Sequence, residues 1–273
     1  MNPATITAPT PNAAHAPGVA HAPDVAHAPD VAHAPDVAHA PGVIAIDGPA
    51  ASGKSTVGFA VAALLNYLFF DTGAMYRVVA WAALEKGVDL HNAEAVGLLA
   101  ETLVISILPA GDAQDGRHLT VLVAGRDVTW AIRAPEVDQN VSTVAAMPRV
   151  RATLSQHQRQ IGAQYAHGHA GMDGIVMVGR DIGTVVLPDA PLKIYLDAPA
   201  TERAHRRFLE LQKRSKDASF EQVLADMQAR DRVDSQRAIA PLRPAHDAHI
   251  IGTAGLGVQE IVARIVALAG VSQ

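Results

Sequence analysis

The chain has no cysteine among its 273 residues. That excludes a disulfide framework, a thiolate nucleophile and any metal site built on sulfur. Aromatic residues make up only 4% of it, so Leu, Val, Ile and Ala have to fill the core. The formal net charge is −5, and a broad basic face for nucleic acid is not expected. No apolar run approaches the roughly 18 residues of a membrane span. The N-terminus lacks the basic start and apolar core of a secretion signal. The expectation is a cytoplasmic protein with no membrane partner. Nothing calls for an oligomer, and a monomer is expected.

What is present first is a repeat. Residues 15–43 cycle through His-Ala-Pro-Asp/Gly-Val-Ala, with a proline every six residues. Such spacing blocks both helix and central strand, and the small side chains have little area to bury. Residues 1–41 are therefore expected to be a disordered tail. The evenly spaced His15, His21, His27, His33 and His39 build no fixed metal site.

The strongest signal follows the tail. Gly48-Pro49-Ala50-Ala51-Ser52-Gly53-Lys54-Ser55 fits the phosphate-loop pattern. An apolar strand precedes it, Val43 to Asp47, and a helix follows from Thr56 to Leu65. Backbone N–H groups of such a loop face a triphosphate, and the helix N-terminus adds its positive end. Lys54 is placed to reach the β/γ-phosphates and Ser55 to hold Mg²⁺.

Strands and helices then alternate. Strands are expected at Leu68–Asp71, Ile175–Val178, Leu192–Asp197 and His249–Ile251. Helices are expected from Gly73 towards Leu84, and over Glu94–Leu103, Pro135–Val144, Pro148–Tyr165, Ala200–Gln212, Phe220–Arg232 and Val258–Ala269. Short strands at Ser106–Leu108 and Leu119–Val123 read as a small sheet inserted into the larger one. The pattern predicts an α/β domain with a parallel sheet covered by helices, and ligands at the carboxyl ends of its strands.

Phosphoryl transfer needs cations around both phosphate chains. Arg77 follows the second strand, and Arg180 and Asp181 follow another. Arg151 lies in a long helix. Arg230, Asp234 and Arg237 fall at i, i+4 and i+7, on one face if the helix extends that far. Arg203, Arg206 and Arg207 precede a polar turn at Lys213–Ala218, which reads as a cover that excludes water. Taken alone, each has a plainer reading: a solvated arginine, an outer salt-bridged stripe, a turn, a helical hairpin on the surface.

Six segments resemble bacterial cytidylate kinases in the order that family has them. They are IDGPAASGKST (Ile46–Thr56), DTGAMYR (Asp71–Arg77), PRVR (Pro148–Arg151), GRDIGTVVLPDAPLKIYLDA (Gly179–Ala198), ERAHRR (Glu202–Arg207) and RDRVDSQRAIAPL (Arg230–Leu242). The resemblance spans nearly all of residues 43–268 and leaves the repeat tail outside it. It implies a P-loop NTP hydrolase-type five-stranded parallel sheet within a domain at 42–271. An inserted nucleoside-monophosphate (NMP) binding region would lie at about 72–147 and a short lid at about 203–220.

The resemblance also implies transfer of the γ-phosphoryl group of ATP, with Mg²⁺, to CMP or dCMP. Gly48, Pro49, Ala50, Ala51, Ser52, Gly53, Lys54, Ser55, Thr56, Arg203 and Arg207 would bind ATP. Ser142, Arg151 and Asp181 would read cytosine. Thr72, Arg77, Arg180 and Arg237 would hold the acceptor phosphate, with Arg230 and Asp234 beside the ribose and phosphates. Lys54, Arg77, Arg180, Arg230 and Arg237 would act in transfer. Thr72 stands where members of the family often have serine, which keeps the hydroxyl and adds a methyl. Competing readings are another small-molecule kinase on the same fold, or a nucleotide-operated switch without transfer.

Overall fold

The computed structural model describes residues 40–213 and 218–271. The expected tail lies outside the described residues except for Ala40 and Pro41, as do Arg214 and Lys216 of the expected cover.

The first strand, β1 (Val43–Asp47), is buried along its whole length. A run apolar on both faces belongs in the middle of a parallel sheet. There β1 pairs in parallel with β6 (Gly174–Gly179) and with β7 (Leu192–Asp197). β2 (Tyr67–Asp71) lies outside β6, and β8 (His249–Gly252) lies outside β7. The order β2-β6-β1-β7-β8 makes a five-stranded sheet, parallel throughout. The register levels the strand ends: Asp47 pairs with Gly179, and Asp71 with Val178. Loops leaving β1, β2 and β6 therefore start side by side.

Helices follow the strands. α1 (Lys54–Leu64) packs against β2 and β6 and against α8 (Val258–Leu268). Its Val57, Val61 and Ala62 are buried. α2 (Gly73–Glu85) packs on α4 (Pro135–Ala146). α3 (Ala93–Thr102) packs on α5 (Pro148–Tyr165). Both α4 and α5 open on proline, whose missing N–H costs nothing in the first turn. Asn92 caps α3 by accepting from Ala95 N at 3.0 Å.

Between α3 and α4 a second sheet forms from β3 (Ile105–Pro109), β4 (Leu119–Val123) and β5 (Arg126–Asp127), antiparallel. Ile107, Leu119 and Val121 are buried from it, the one-sided pattern of such sheets. β5 was not anticipated, because two residues carry no period. The last pair, α6 (Ala200–Lys213) and α7 (Phe220–Gln236), pack against each other over a small cluster of Ala204, Val223 and Met227.

Two local expectations change, and one turn is added. α1 starts at Lys54, two residues early, since Gly53 at φ 95° already turns the chain into it. α7 ends at Gln236, so Arg237 is not on its face with Arg230 and Asp234. Its ψ of 136° leaves the helix, and Leu242 N returns to Asp234 O at 2.8 Å. Residues 182–186, for which no element was expected, form one wide helical turn. Asp47 explains it by taking the free N–H groups of Ile182 and Gly183, both at 2.8 Å.

Candidate active site

The loop between β1 and α1 is held in a shape few residues tolerate. Gly48 sits at φ 149°, and a Cβ there would lie 2.2 Å from Leu196 O. Lys54 is buried and folds back over the loop, with Nζ donating to Pro49 O at 2.6 Å. Burial pulls its ammonium well below the usual lysine range, and Arg180 adds to that; Asp71 and Asp47 oppose it. Pro49 and Ser52 are buried, Ala50 and Ala51 half-buried, and Thr56 exposed. Ser55 Oγ donates to Asp71 Oδ2 at 2.9 Å. A hydroxyl and a carboxylate are hard oxygen donors, the kind Mg²⁺ takes.

Asp47 ends β1 beneath this loop. Burial pushes its carboxyl up to about 6, against the two N–H bonds from Ile182 and Gly183 that favour its charge. Thr72, the first residue past β2, donates its hydroxyl to Val178 O at 2.9 Å. Its side chain does not cap α2. Asp71 Oδ1 accepts from Gly73 N at 3.0 Å instead.

Arg77, one turn into α2, donates to Asp138 Oδ1 at 2.5 Å and to Ile132 O at 3.3 Å. Arg151, in α5, is buried and donates to Asp181 Oδ2 at 2.5 Å and to Ala145 O at 3.0 Å. Its guanidinium lies 5.5 Å from the ring centre of Tyr76. Ser142 lies half-buried in α4. Arg180 Nε donates to Asp234 Oδ2 at 3.0 Å. Burial would raise the Asp234 carboxyl, but Arg180, Arg230 and Arg237 around it hold it below its ordinary value.

Arg230 is pushed down to about 10 by burial and by Arg180, with Asp234 opposing. Burial also lowers Arg237, and Arg151 adds to it. Arg237 donates to Ala240 O at 2.8 Å. The Nε–H groups of Arg230 and Arg237 are both buried without a partner. A buried donor left unpaired costs about 1–3 kcal/mol, which an incoming anion would offset.

Arg203 and Arg207 sit differently. Arg203 is buried and donates to Ala198 O at 2.8 Å, to Ala50 O of the phosphate loop at 3.1 Å and to Asp231 Oδ2 at 2.6 Å. Arg207 donates to Glu210 at 2.8 Å and to Asp138 Oδ2 at 3.5 Å. Arg206 reaches Thr253 with two bonds, and the Thr253 hydroxyl donates to Ser52 O at 3.3 Å. Asp47 and Tyr76 lie inside the motifs at Ile46–Thr56 and Asp71–Arg77 without a role being read for them, and Asp138 and Thr253 lie outside every motif. Burial of Asp47 behind four apolar residues was the only signal that marked one of them.

A parallel sheet with this loop at its switch point defines an α/β protein of the P-loop class, built to grip phosphate chains. A family model described as Cytidylate kinase matches residues 44–270. The chain belongs to the cytidylate kinase family. It is 50% identical over 224 residues to the cytidylate kinase of Roseiflexus castenholzii, covering 82% of this chain and 91% of that one. It is 48% identical over 225 residues to that of Desulfitobacterium hafniense, with the same shares covered. A bifunctional pantoate ligase/cytidylate kinase from Synechococcus is 46% identical over 82% of this chain and 40% of its own length. Among the described residues no helix is long and apolar enough to cross a membrane.

Proposed function

We propose that the chain transfers the γ-phosphoryl group of ATP to a phosphate oxygen of CMP or dCMP, giving ADP and CDP or dCDP. The observation that carries this is the pair of buried, unpartnered Nε–H groups of Arg230 and Arg237 beside the Arg180–Asp234 pair. They belong to cations short of an anion, and Arg230 lies within the field of Lys54 on the phosphate loop.

In this reading Gly48 to Thr56 cradle the ATP phosphates through backbone N–H groups. Ser55 would hold Mg²⁺, with Asp71 fixing its hydroxyl. When bound, Mg²⁺ neutralises charge on the phosphates. Lys54 leaves Pro49 O to follow the developing charge on the transferred group. Arg77, Arg180 and Arg237 hold the acceptor phosphate, with Thr72 at the wall, and Arg230 and Asp234 lie between phosphates and ribose. Transfer needs alignment and charge stabilisation and no covalent intermediate. Arg203 supports the donor side from beneath the loop, and Arg207 faces the cleft from α6. Residues 72–147 form the NMP-binding region, 203–220 the lid, 42–271 the kinase domain, and 1–41 a tail outside it.

Cytosine is selected by Arg151 and Asp181, with Ser142 on the neighbouring helix. The Asp181 carboxylate accepts from the exocyclic amine of cytosine. Uracil offers an oxygen there, and the clash costs at least about 1–3 kcal/mol, roughly five- to 150-fold.

ADP release from ATP and Mg²⁺, compared across CMP, dCMP, UMP, AMP and no acceptor, tests the reading. Turnover with CMP and dCMP far above the rest is expected. Equal turnover with UMP would remove Asp181 from its role, and turnover with none would remove the activity.

A further inference from the structure

A carboxylate stands where the acceptor phosphate is expected. Asp138, in the first turn of α4, accepts from Arg77 on one oxygen at 2.5 Å and from Arg207 on the other at 3.5 Å. Arg230 also lies within its field. No motif contains Asp138, and it comes from an element separate from both arginines. Carboxylate and phosphate compete for the same partner, since each presents paired oxygens to a guanidinium fork. Asp138 already occupies Arg77, so an arriving phosphate meets a guanidinium in use.

We propose that Asp138 is a resident competitor for the acceptor phosphate. It holds Arg77 while the site is empty and yields it when the phosphate arrives, and Arg207 then retains the carboxylate. This rests on Arg77 as a holder of the acceptor phosphate. Asp138 is a positioning residue, since it acts through Arg77 and touches no transferred atom.

The sign of the effect separates this from a structural anchor. If Asp138 merely braced Arg77, its loss would let the side chain wander and would weaken acceptor binding. A competitor does the reverse. The experiment is calorimetric titration of CMP, and of cytidine, into the full chain without ATP. It compares the unchanged protein with Asp138→Asn, which keeps size and one carbonyl oxygen but loses the charge, and with Arg77→Ala.

Asp138→Asn should bind CMP about two- to fivefold more tightly at low salt, the range of a partly exposed ion pair. The gain should shrink as salt is added. Cytidine, which lacks the phosphate, should bind both proteins alike. Unchanged or weaker CMP binding overturns the proposal. If Arg77→Ala meanwhile weakens CMP binding, the failure is confined to Asp138. If Arg77→Ala binds CMP normally, the role given to Arg77 falls and the proposal falls with it.

Discussion

Lys54 at the phosphate loop and three arginines across the cleft are held by different oxygens. At the phosphate loop, Lys54 rests on Pro49 O, and Arg203 spans Ala198 O and Ala50 O before reaching Asp231. Across the cleft, Arg77, Arg151 and Arg180 each meet a carboxylate, from Asp138, Asp181 and Asp234. A carbonyl positions a cation and leaves its charge unspent. A carboxylate positions it and neutralises it. Lys54 thus keeps its charge for a triphosphate, whereas Arg77, Arg151 and Arg180 are balanced until a particular ligand takes over one of their pairs; Arg203, which also pairs with Asp231, belongs to both kinds. In the proposed reading, donor grip is general, and acceptor choice is made where the charges are already paired.

The largest effect that tests this difference is on the acceptor side. Arg151 and Asp181 are both almost wholly buried. Asp181→Ala leaves the guanidinium buried and unpaired, which should cost about 3–5 kcal/mol of stability. Chemical denaturation of the two proteins measures it. A loss under about 1 kcal/mol, the worth of an exposed pair, would mean that the pair is solvated and the contrast with the loop side is wrong. Asp181→Asn, which preserves packing, isolates the effect on the CMP/UMP preference.

On the donor side, Lys54→Ala removes a cation held only by neutral oxygen. No carboxylate loses a hydrogen bond with it, since Asp47 keeps its two N–H bonds from Ile182 and Gly183, so the fold should persist. Turnover should fall about 10²–10³-fold, the worth of a group that stabilises transition-state charge. Steady-state kinetics beside a thermal melt checks both halves. A variant that unfolds instead would place Lys54 among the structural cations.

Asp47 lies between the two sides and sharpens the comparison through pH. Its folded carboxyl titrates at about 6, against 3.8 for an ordinary aspartate. Below about 4 it is protonated in both folded and unfolded chains and contributes nothing. Above about 6 it is ionised in both, and burial makes the charge unfavourable in the fold. Its contribution therefore becomes steadily less favourable as pH rises from 4 to 6, by on the order of 2–3 kcal/mol. The difference in unfolding free energy between the unchanged protein and Asp47→Asn should follow that slope. A flat difference would mean that the two N–H bonds offset burial and leave Asp47 as acidic as a surface residue.

How much of this was legible depends on how far each contact reaches along the chain. β1, the glycine turn and α1 are contiguous, so four apolar residues and a glycine pattern sufficed to place them. Arg180 and Asp181 were found because they directly follow a buried strand. Arg237 was placed on a helix face by a spacing that the chain abandons at Gln236, where the return to Leu242 takes over. Asp138 meets Arg77 across 61 residues, and Asp47 meets Ile182 across 135. No local period records such pairs, and an aspartate in a helix or at a strand end looks the same whether solvated or bound. The burial of Arg203 leaves no local signal either, since spacing records only that Arg203 and Arg207 share a helix face.

The smallest effect concerns the longest of these contacts. The Thr253 hydroxyl reaches Ser52 O across 201 residues, and Arg206 of α6 grips the same threonine. This is again a loop-side contact to a neutral carbonyl, so its loss should disturb loop shape and strand no charge. Thr253→Val keeps the volume and removes the hydroxyl, which is worth about 0.5–1.5 kcal/mol, or roughly two- to tenfold. That factor should appear in KM for ATP and leave KM for CMP alone, because the bond ends on the donor loop only. Thr253→Ser restores the hydroxyl and should restore the constant. If KM for CMP rises equally, the two sides are not separable, and the division between carbonyl-held and carboxylate-held cations describes geometry without assigning function.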